Sequence, residues 1–583
     1  MPPSPVIPLV IRPWRASKRL RRAVVDVPTD VPSTEAIFLV LRRMRFPLIV
    51  LISILSISVL GLSLIPGVDE NGDPWRMTLF DAFYFVSYTA TTIGFGEIPH
   101  AFTAAQRMWV TGTIYASVTG WAYVFGSLFA LLQEPAFRKA VTLQRFRAKV
   151  KGLHEPFLLL VGYGQAGRTL ATALDHEGRR IVVVDADPGR LDVLISDQLA
   201  NDVPNIEGDP TNPALLGLAG LGHPMCEGVL AMTDQDEMNL AVVMSANLLR
   251  PEVPVITRCS ERANVQRMED FSPEAVINPY DRYGSYLVMA LQRPDTFQLH
   301  QWLLSEPGTE LPPLHEELAS GRWMVTADSR FGHEVAHDLR RAGLEVEEVN
   351  PEDGVPPFDG IAGFIAGVES DTTNLSMAAH ARLVNPGVYL AVRQKSIHTT
   401  ALLRAFEPDS VFIATDLVAF ESLARLQAPT FWAFIEYVHQ LPNEQAIEIR
   451  DRLVRRVGEY SPSPSVLTIN HYEAPAVTRW LEKDHPVTLR DLLRNPDERE
   501  QKIPSFVFML KRGKQVSYVP DLDVELKVGD QVGLLSRSKG LQQLTTTLHH
   551  DASLEYLCTA ETVPTTWLWR KLRAARKRVT RRR

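Results

Sequence analysis

The sequence predicts a multidomain chain: an α-helical segment with two membrane spans, then α/β units with parallel sheets, then a small α+β unit. Three observations carry this. Two apolar runs without a single charge, "FPLIVLISILSISVLGLSLIPG" from Phe46 and "MWVTGTIYASVTGWAYVFGSLFALL" from Met108, lie close together near the start. A glycine-rich turn, "GYGQAG", directly follows a short apolar run at 157–161. A stretch beginning at Val229 returns at Phe364, with Asn239 standing on Asn374. The 583 residues suffice for about three or four domains of ordinary size.

Composition sets the outer limits. A hydrophobic content of 45% against 22% charged residues is that of a folded chain with no need of disorder. The net charge of -7 hides an asymmetry. Residues 1–45 carry a basic cluster that includes Arg15, Arg19, Arg42 and Arg45, residues 550–583 end in "RKLRAARKRVTRRR", and the acidic charge lies between. Cys226, Cys259 and Cys558 are far apart and match no metal spacing, which fits a reducing compartment. The first apolar run begins too late, and without a small-residue cleavage pattern, to be a signal peptide.

Each apolar run is long enough to cross a bilayer core as a helix, and two in succession argue against buried helices of a soluble protein. The spans are expected over 46–67 and 108–132, within a region 46–135. Arg42, Arg43 and Arg45 precede the first, and Arg138, Lys139, Arg145, Arg147, Lys149 and Lys151 follow the second. The segment between them has few basic residues, so the positive-inside rule places both termini in the cytoplasm of a multi-pass inner (plasma) membrane protein.

Between the spans, "MTLFDAFYFVSYTA" (77–90) is apolar but too short to cross, which suits a re-entrant helix. It leads into "TTIGFGEIPH" (91–100). Irregular backbone at membrane depth is tolerated only where it is buried in protein or lines water. Gly94 and Gly96 can take backbone angles closed to other residues, which lets successive carbonyls point one way and replace the water shell of a cation. "TATTIGFGE" resembles the potassium-channel signature T-x-x-T-x-G-[YF]-G-[DE], with Phe95 in place of the commoner Tyr and Glu97 in place of the commoner Asp. The resemblance implies a selectivity filter over Thr92, Ile93, Gly94, Phe95, Gly96 and Glu97. K+ would be held by the carbonyls of Thr92, Ile93, Gly94 and Phe95, with the Thr92 hydroxyl at the innermost site. One chain supplies one such loop and a closed ring needs four, so a homotetramer in the lipid bilayer is implied. The second span would then line the pore. Its Gly112, Gly120 and Gly126 serve bending or close packing, and packing is the better reading for at least two.

The chain then turns soluble. "PFLLLVGYGQAGRTLATALDHEGRRIVVVDAD" reads as strand, tight turn, helix, strand, the second strand ending on Asp185. In the turn formed by Gly162, Tyr163, Gly164, Gln165, Ala166 and Gly167, the first glycine permits the bend. The second lets a pyrophosphate approach the backbone, and the third allows close helix packing. The helix start offers amides to phosphates, and Asp185 stands where a carboxylate accepts both ribose hydroxyls. This is a Rossmann-like nucleotide-binding pattern. Asp185 disfavours a 2′-phosphate, so NAD(H) is preferred to NADP(H), and ATP or ADP fits the same residues. Arg190 reads either as phosphate support or as a plain surface residue.

Together with "NIEGDPTNPALLGLAGL" and "GVLAMTDQDEMNLAVVMSANLL", the fingerprint resembles the RCK domain, the regulator of potassium conductance that forms the cytoplasmic gating module of many prokaryotic channels. The resemblance implies Asp209 and Thr211 beside the adenosine and Thr233 and Asp234 near the phosphates. A first RCK unit is expected over 152–300. The repeat, which also sets Phe271 on Phe406 and Pro273 on Pro408, implies a second over 321–440. That copy keeps only the third glycine in "ADSRFG", has Asn350 at the acidic position and lacks a counterpart to 205–221. It is expected to hold the assembly together and bind no dinucleotide. The stretch 460–545, after a linker in "EYSPSPSV", resembles the small C-terminal RCK subdomain. Calcium-gated relatives place carboxylates where this chain has Arg258, Cys259 and Ser260, so a calcium site of that kind is not expected. The tail at 550–583 pairs Trp567, Leu568 and Leu572 with cations, which suits contact with anionic lipid or a solvated tail, and nucleic acid is not an expected partner.

The expected protein is thus a two-transmembrane channel with tandem RCK domains, potassium-selective, gated by a regulatory nucleotide (NAD(H) or ATP/ADP), and not an enzyme. A non-selective or divalent-cation channel with the same ring, and a membrane-tethered NAD-dependent oxidoreductase, are the alternatives.

Overall fold

The structure is a computed structural model of the chain and describes residues 27–29, 36–314, 321–326, 328–354 and 356–561. Most of the basic N-terminus (1–45), the tail beyond residue 561 and Ala327 of the second glycine turn lie outside the described residues.

The membrane part comprises α1 (Ala36–Leu64), a hairpin of β1 (Pro66–Val68) and β2 (Pro74–Arg76), α2 (Leu79–Ala90) and α3 (Ala104–Gln133). Arg42–Leu64 and Ala104–Gln133 are apolar and long enough to span, with mean hydropathy 2.4 and 1.4. The first span departs from the expected 46–67 at both ends. Hydropathy registers only apolar residues, whereas the helix continues back through Arg42, Arg43 and Arg45, good helix formers. At its other end Pro66 disfavours helical angles at Ile65, and Pro66–Val68 pairs with Pro74–Arg76 instead. The second helix starts at Ala104 rather than Met108 because Thr103 and Gln106 form a capping box. Thr78 caps the amide of Asp81, so α2 begins at Leu79 rather than Met77. α1 and α3 meet closely at Gly120, where a side chain would come within 3.1 Å of Leu51 and Ile54.

Glu134 is extended and Pro135 restarts the chain as α4 (Pro135–Lys151). This basic helix is not a free linker. Phe146 and Val150 are buried in the core of the first α/β unit.

That unit is a six-stranded parallel sheet in the order β5-β4-β3-β6-β7-β8. Its strands are β3 (Phe157–Val161), β4 (Arg180–Asp185), β5 (Asn205–Glu207), β6 (Cys226–Ala231), β7 (Val255–Arg258) and β8 (Ala275–Ile277). The helices are α5 (Gln165–His176), α6 (Pro188–Ser196), α7 (Pro213–Leu218), α8 (Asp236–Leu249), α9 (Arg262–Glu269), α10 (Pro279–Gln292) and α11 (Pro294–Leu304). β3 is buried along its whole length, as a central strand covered on both faces must be.

The second unit has five strands, β10-β9-β11-β12-β13. In chain order these are β9 (Arg322–Thr326), α12 (Arg330–Arg341), β10 (Glu345–Val349), β11 (Ile361–Ala366), α13 (Asp371–Val384), β12 (Tyr389–Arg393), α14 (Thr400–Phe406), β13 (Ser410–Phe412), α15 (Ala414–Gln427), α16 (Pro429–Gln440) and α17 (Asn443–Val457). The repeat runs further than the sequence alignment. Spacing between copies drops from 165 residues (Gln165 to Arg330) to 135 (Cys226 to Ile361) and stays there through Pro294 and Pro429. The shortening removes α6, β5 and α7, leaving one 3-10 turn at Pro351–Asp353. The repeated asparagines are clasps. Asn239 donates to the carbonyls of Thr233 and Arg258, and Asn374 to those of Val368 and Arg393.

The expected boundaries at 300 and 440 cut across an exchange of helices. α10 leaves its own sheet and buries Tyr280, Tyr283 and Leu287 among Trp323, Val325 and Phe331 of the second unit. α15 returns the exchange, placing Val418, Ala419 and Leu426 against Leu160, Leu170 and Ile256 of the first. α11, α16 and α17 join a third core with Phe506 and Phe508.

The final unit is an antiparallel sheet, β14-β17-β15-β16. It consists of β14 (Ser463–Thr468), α18 (Pro475–Leu481), α19 (Leu489–Leu492), β15 (Ser505–Arg512), β16 (Gln515–Tyr518), β17 (Gln531–Ser536), α20 (Ser538–His549) and α21 (Asp551–Thr559). Two expectations are corrected here. The "SPSV" of the expected linker is strand, because Ser463 to Val466 pair in register with β17. The start of the expected tail is packed helix, since Leu554 and Leu557 of α21 are fully buried.

Candidate functional site

The loop after α2 has alternating handedness. Thr92, Gly94 and Gly96 have φ of +63°, +69° and +96°, while Ile93 and Phe95 are not left-handed. Such alternation turns successive carbonyls to one side. Nothing lies within 4 Å of a side chain placed on Gly94 or Gly96, so backbone angle, not space, demands glycine there. The amides of Ile93 and Gly94 both donate to Tyr88 O, at 2.9 and 3.4 Å, which ties the loop to α2. Tyr88 also donates its hydroxyl to Gly96 O at 2.6 Å, and its ring stands edge-on to Phe95 at 5.3 Å. Glu97 accepts from Phe102 N at 2.8 Å and from Arg107 at 2.8 and 3.1 Å, a bidentate anchor onto α3. Sequence reasoning singled out neither Tyr88 nor Arg107; a tyrosine in an apolar helix carries no pattern of its own.

The second site lies along the C-terminal edge of the six-stranded sheet. Gly162 is left-handed at φ +95°, and a side chain on it would reach 2.8 Å from Thr233 N. One on Gly167 would sit 2.0 Å from Gly162 O. These two glycines are therefore fixed by protein contacts. Gly164 is different, because only Arg190, 3.5 Å away, approaches it. Gly164 is the N-cap of α5 and provides no side-chain cap, so the first-turn amides at Gln165 and Ala166 have no side-chain acceptor there.

Asp185 is buried and its carboxylate accepts from Tyr163 N and, at 2.8 Å, from Asp187 N. It shapes the glycine loop as well as facing the cleft. Tyr163 itself is buried, with its hydroxyl donated to Asp197 at 2.9 Å. Asp209 accepts from the amide and hydroxyl of Thr211, and Gly208 N donates to Asp185 O, which sets this turn beside Asp185. The Thr233 hydroxyl is spent on Asn239 and on Gln235 O, so only its backbone meets Gly162. Asp234 pairs with Arg190 at 3.2 Å, and Arg190 also lies 3.7 to 3.8 Å from Asp187 and Asp185. Arg190 thereby spans the cleft mouth above Gly164.

In the second unit Ser329 stands at the place of Gly164 and caps the amide of Gly332. Asn350, at the place of Asp185, caps a 3-10 turn. Cys259 is buried beside Asp236, and burial pushes its thiol up to about 12, so it stays protonated. Among the described residues no group of three or more His, Cys, Asp or Glu could hold a metal ion.

With this geometry in view, comparison with known proteins defines the class. Residues 48–134 match the ion channel family model and residues 158–279 the TrkA-N domain model. The chain therefore joins an ion channel domain to a TrkA-N domain. It is 24% identical over 237 residues to Potassium channel protein 1 of Methanocaldococcus jannaschii, covering 40% of this chain and 68% of the relative. It is 24% identical over 222 residues to the voltage-gated potassium channel Kch of Escherichia coli, covering 38% and 51%. The matches to the curated relatives above span about half to two thirds of their length. Among solved structures, "GsuK channel bound to NAD" aligns over 88% of this chain and 99% of its own, at 13% identity and a TM-score of 0.42.

Proposed function

We propose that the protein is a potassium-selective channel of the inner membrane, a homotetramer opened or closed by NAD(H) or an adenine nucleotide bound at the first α/β unit. The observation that carries this reading is the alternation of handedness at Thr92, Gly94 and Gly96 between two spanning helices. The ion-facing oxygens are those of Thr92, Ile93, Gly94 and Phe95. Gly96 O is engaged by Tyr88 and Glu97 braces the loop from behind. One chain offers one wall of such a site. Ile93 and Phe95 are 60% and 62% exposed in it, surface that three further copies would cover.

Nucleotide is proposed to lie with its phosphates over Gly164 and the start of α5, and a ribose at Asp185. Asp209 and Thr211 flank the adenosine side, Thr233 and Asp234 the phosphate side, and Arg190 offers a cation. Asp185 is held by two amides and cannot swing away, which favours a ribose diol over a 2′-phosphate. Because α4 is fused to the core of this unit, movement of the unit reaches α3 through the break at Glu134–Pro135. Nucleotide shifts the gate only by its difference in affinity for the two states. Both termini are read as cytoplasmic, from the basic flanks of the spans. The named relatives are channels rather than enzymes, and no residue is assigned a catalytic role.

The test is planar-bilayer recording of purified protein in mixed K+ and Na+, with NAD+, NADH, ATP and ADP added in turn. A reversal potential near the K+ equilibrium value and a nucleotide-dependent open probability are expected. Equal permeability to the two ions would overturn selectivity, and an Asp185→Ala variant responding as wild type would overturn the nucleotide site.

A further inference from the structure

One contact joins the start of the chain to the first α/β unit. Val27 packs against the core that holds Phe146, Val150, Leu215, Leu216, Leu218 and Leu221. A side chain on Gly217, in α7, would lie 2.1 Å from the carbonyl oxygen of Pro28, and one on Gly222 would lie 3.2 Å from Val27 Cβ. At Gly217 backbone meets backbone, which is why glycine is needed there, while Gly222 leaves room for the Val27 side chain. Six residues, 30–35, then separate Thr29 from the start of α1 at Ala36. A link of that many residues reaches at most about 3.5 Å per residue.

The same block grips α4, the helix that continues from the second span. Gly220 is left-handed at φ +100°, and a side chain on it would come within 3.1 Å of Val150 in α4 and 2.7 Å of Phe157 in β3. Lys149 of α4 pairs with Asp202, just before β5. The block also begins at the proposed nucleotide cleft. Asn212, one residue beyond Thr211, is the N-cap of α7, and Gly208 N is bonded to Asp185 O.

We infer that the segment from β5 through α7 to Gly222 is the transmission element of the channel. It carries the state of the cleft to α1 through a strap at Val27–Thr29 and to α3 through α4. This rests on reading the cleft as a nucleotide site. It explains the asymmetry of the repeat, since the second unit omits α6, β5 and α7 and has no pore helix to hold. A ring with one such grip per chain moves both helices of each pore subunit together, where a link through α4 alone would leave α1 behind.

Two measurements test it. In a chain whose native cysteines are replaced by alanine, Val27→Cys with Gly222→Cys should form a disulfide on mild oxidation of membranes, as the Cβ separation is close to that of a natural bridge. No bond would overturn the dock, whatever the nucleotide does. In bilayers, removal of residues 1–29 should leave nucleotide affinity within about twofold of wild type. The nucleotide-dependent change in open probability should fall by at least about half. Gly217→Val should reproduce this, and if that variant fails to fold, the deletion still decides, because it touches no residue of the sheet. A full nucleotide response without the strap would overturn the transmission role. A wild-type channel that ignores every nucleotide would sink that role together with the reading of the cleft, while the disulfide result would still stand or fall alone.

Discussion

The two α/β units share one chain, one repeat and one clasp, yet differ at the start of their first helix. In the first unit Gly164 leaves the turn of α5 uncapped and open, with Arg190 poised above it. In the second, Ser329 closes the corresponding turn by accepting from Gly332 N, and donates onward to Gly367 O. A helix start that is already satisfied by its own serine has less to offer a phosphate. The contrast teaches that a helix start is closed by local satisfaction of its donors, with no need to unravel the fold. Both units keep the asparagine clasp because the sheet edge needs it whether or not a ligand binds.

The largest effect is expected at Gly162. Its replacement by valine places a branched side chain at φ +95° and against Thr233 N, and nucleotide affinity should fall by more than about 100-fold in isothermal calorimetry. Ser329→Gly in the second unit should leave that affinity unchanged; a loss there would erase the distinction between the units. Next, Asn239→Ala and Asn374→Ala should each cost about 2–4 kcal/mol, because each leaves two or more buried backbone groups unpaired. Equal falls in melting temperature would support a common structural clasp, and a markedly larger loss of nucleotide binding than of stability at Asn239 would argue for a ligand role.

A smaller effect lies on α11 and α16, where His300 and His439 stand against Tyr286 of the exchanged α10. Burial, aided by the charges of His439 and Arg282, holds His300 down at about 3. Burial with Arg293 and Arg282 holds His439 at about 4. Unfolded histidine takes a proton below about 6.5, so between that pH and about 4 the unfolded chain binds more protons than the folded one. Stability therefore rises with pH across this window, by at most about 1.4 kcal/mol per pH unit for each histidine, and is fully present above it. Thermal melts from pH 7 to 5 should show the loss, and a His300→Phe variant should flatten it. The smallest change is expected for Ser329→Ala, about 1 kcal/mol from the lost cap, with channel response to nucleotide intact.

Much of the architecture was legible in the residues. Charge-free runs announce spans because bilayer thickness sets a length, and "TTIGFG" and "GYGQAG" announce their loops because only glycine takes those angles at no steric cost. Thr92 shows the limit of such reading, being left-handed without being glycine. The edges of elements were less legible, since Arg42–Arg45 are helical but not apolar and "SPSV" forms strand only because β17 lies beside it. Local sequence decided the turn at 92–96, the glycine loop and the repeat, because each depends on backbone angles or contacts within a few residues. Tertiary structure decided the exchange of α10 and α15, the hydroxyl that Tyr88 lends to Gly96, and the dock of Val27–Thr29 on Gly217. An apolar helix face states that it must be covered but not by which sheet. That choice follows from how the whole chain closes, through contacts between residues far apart along it.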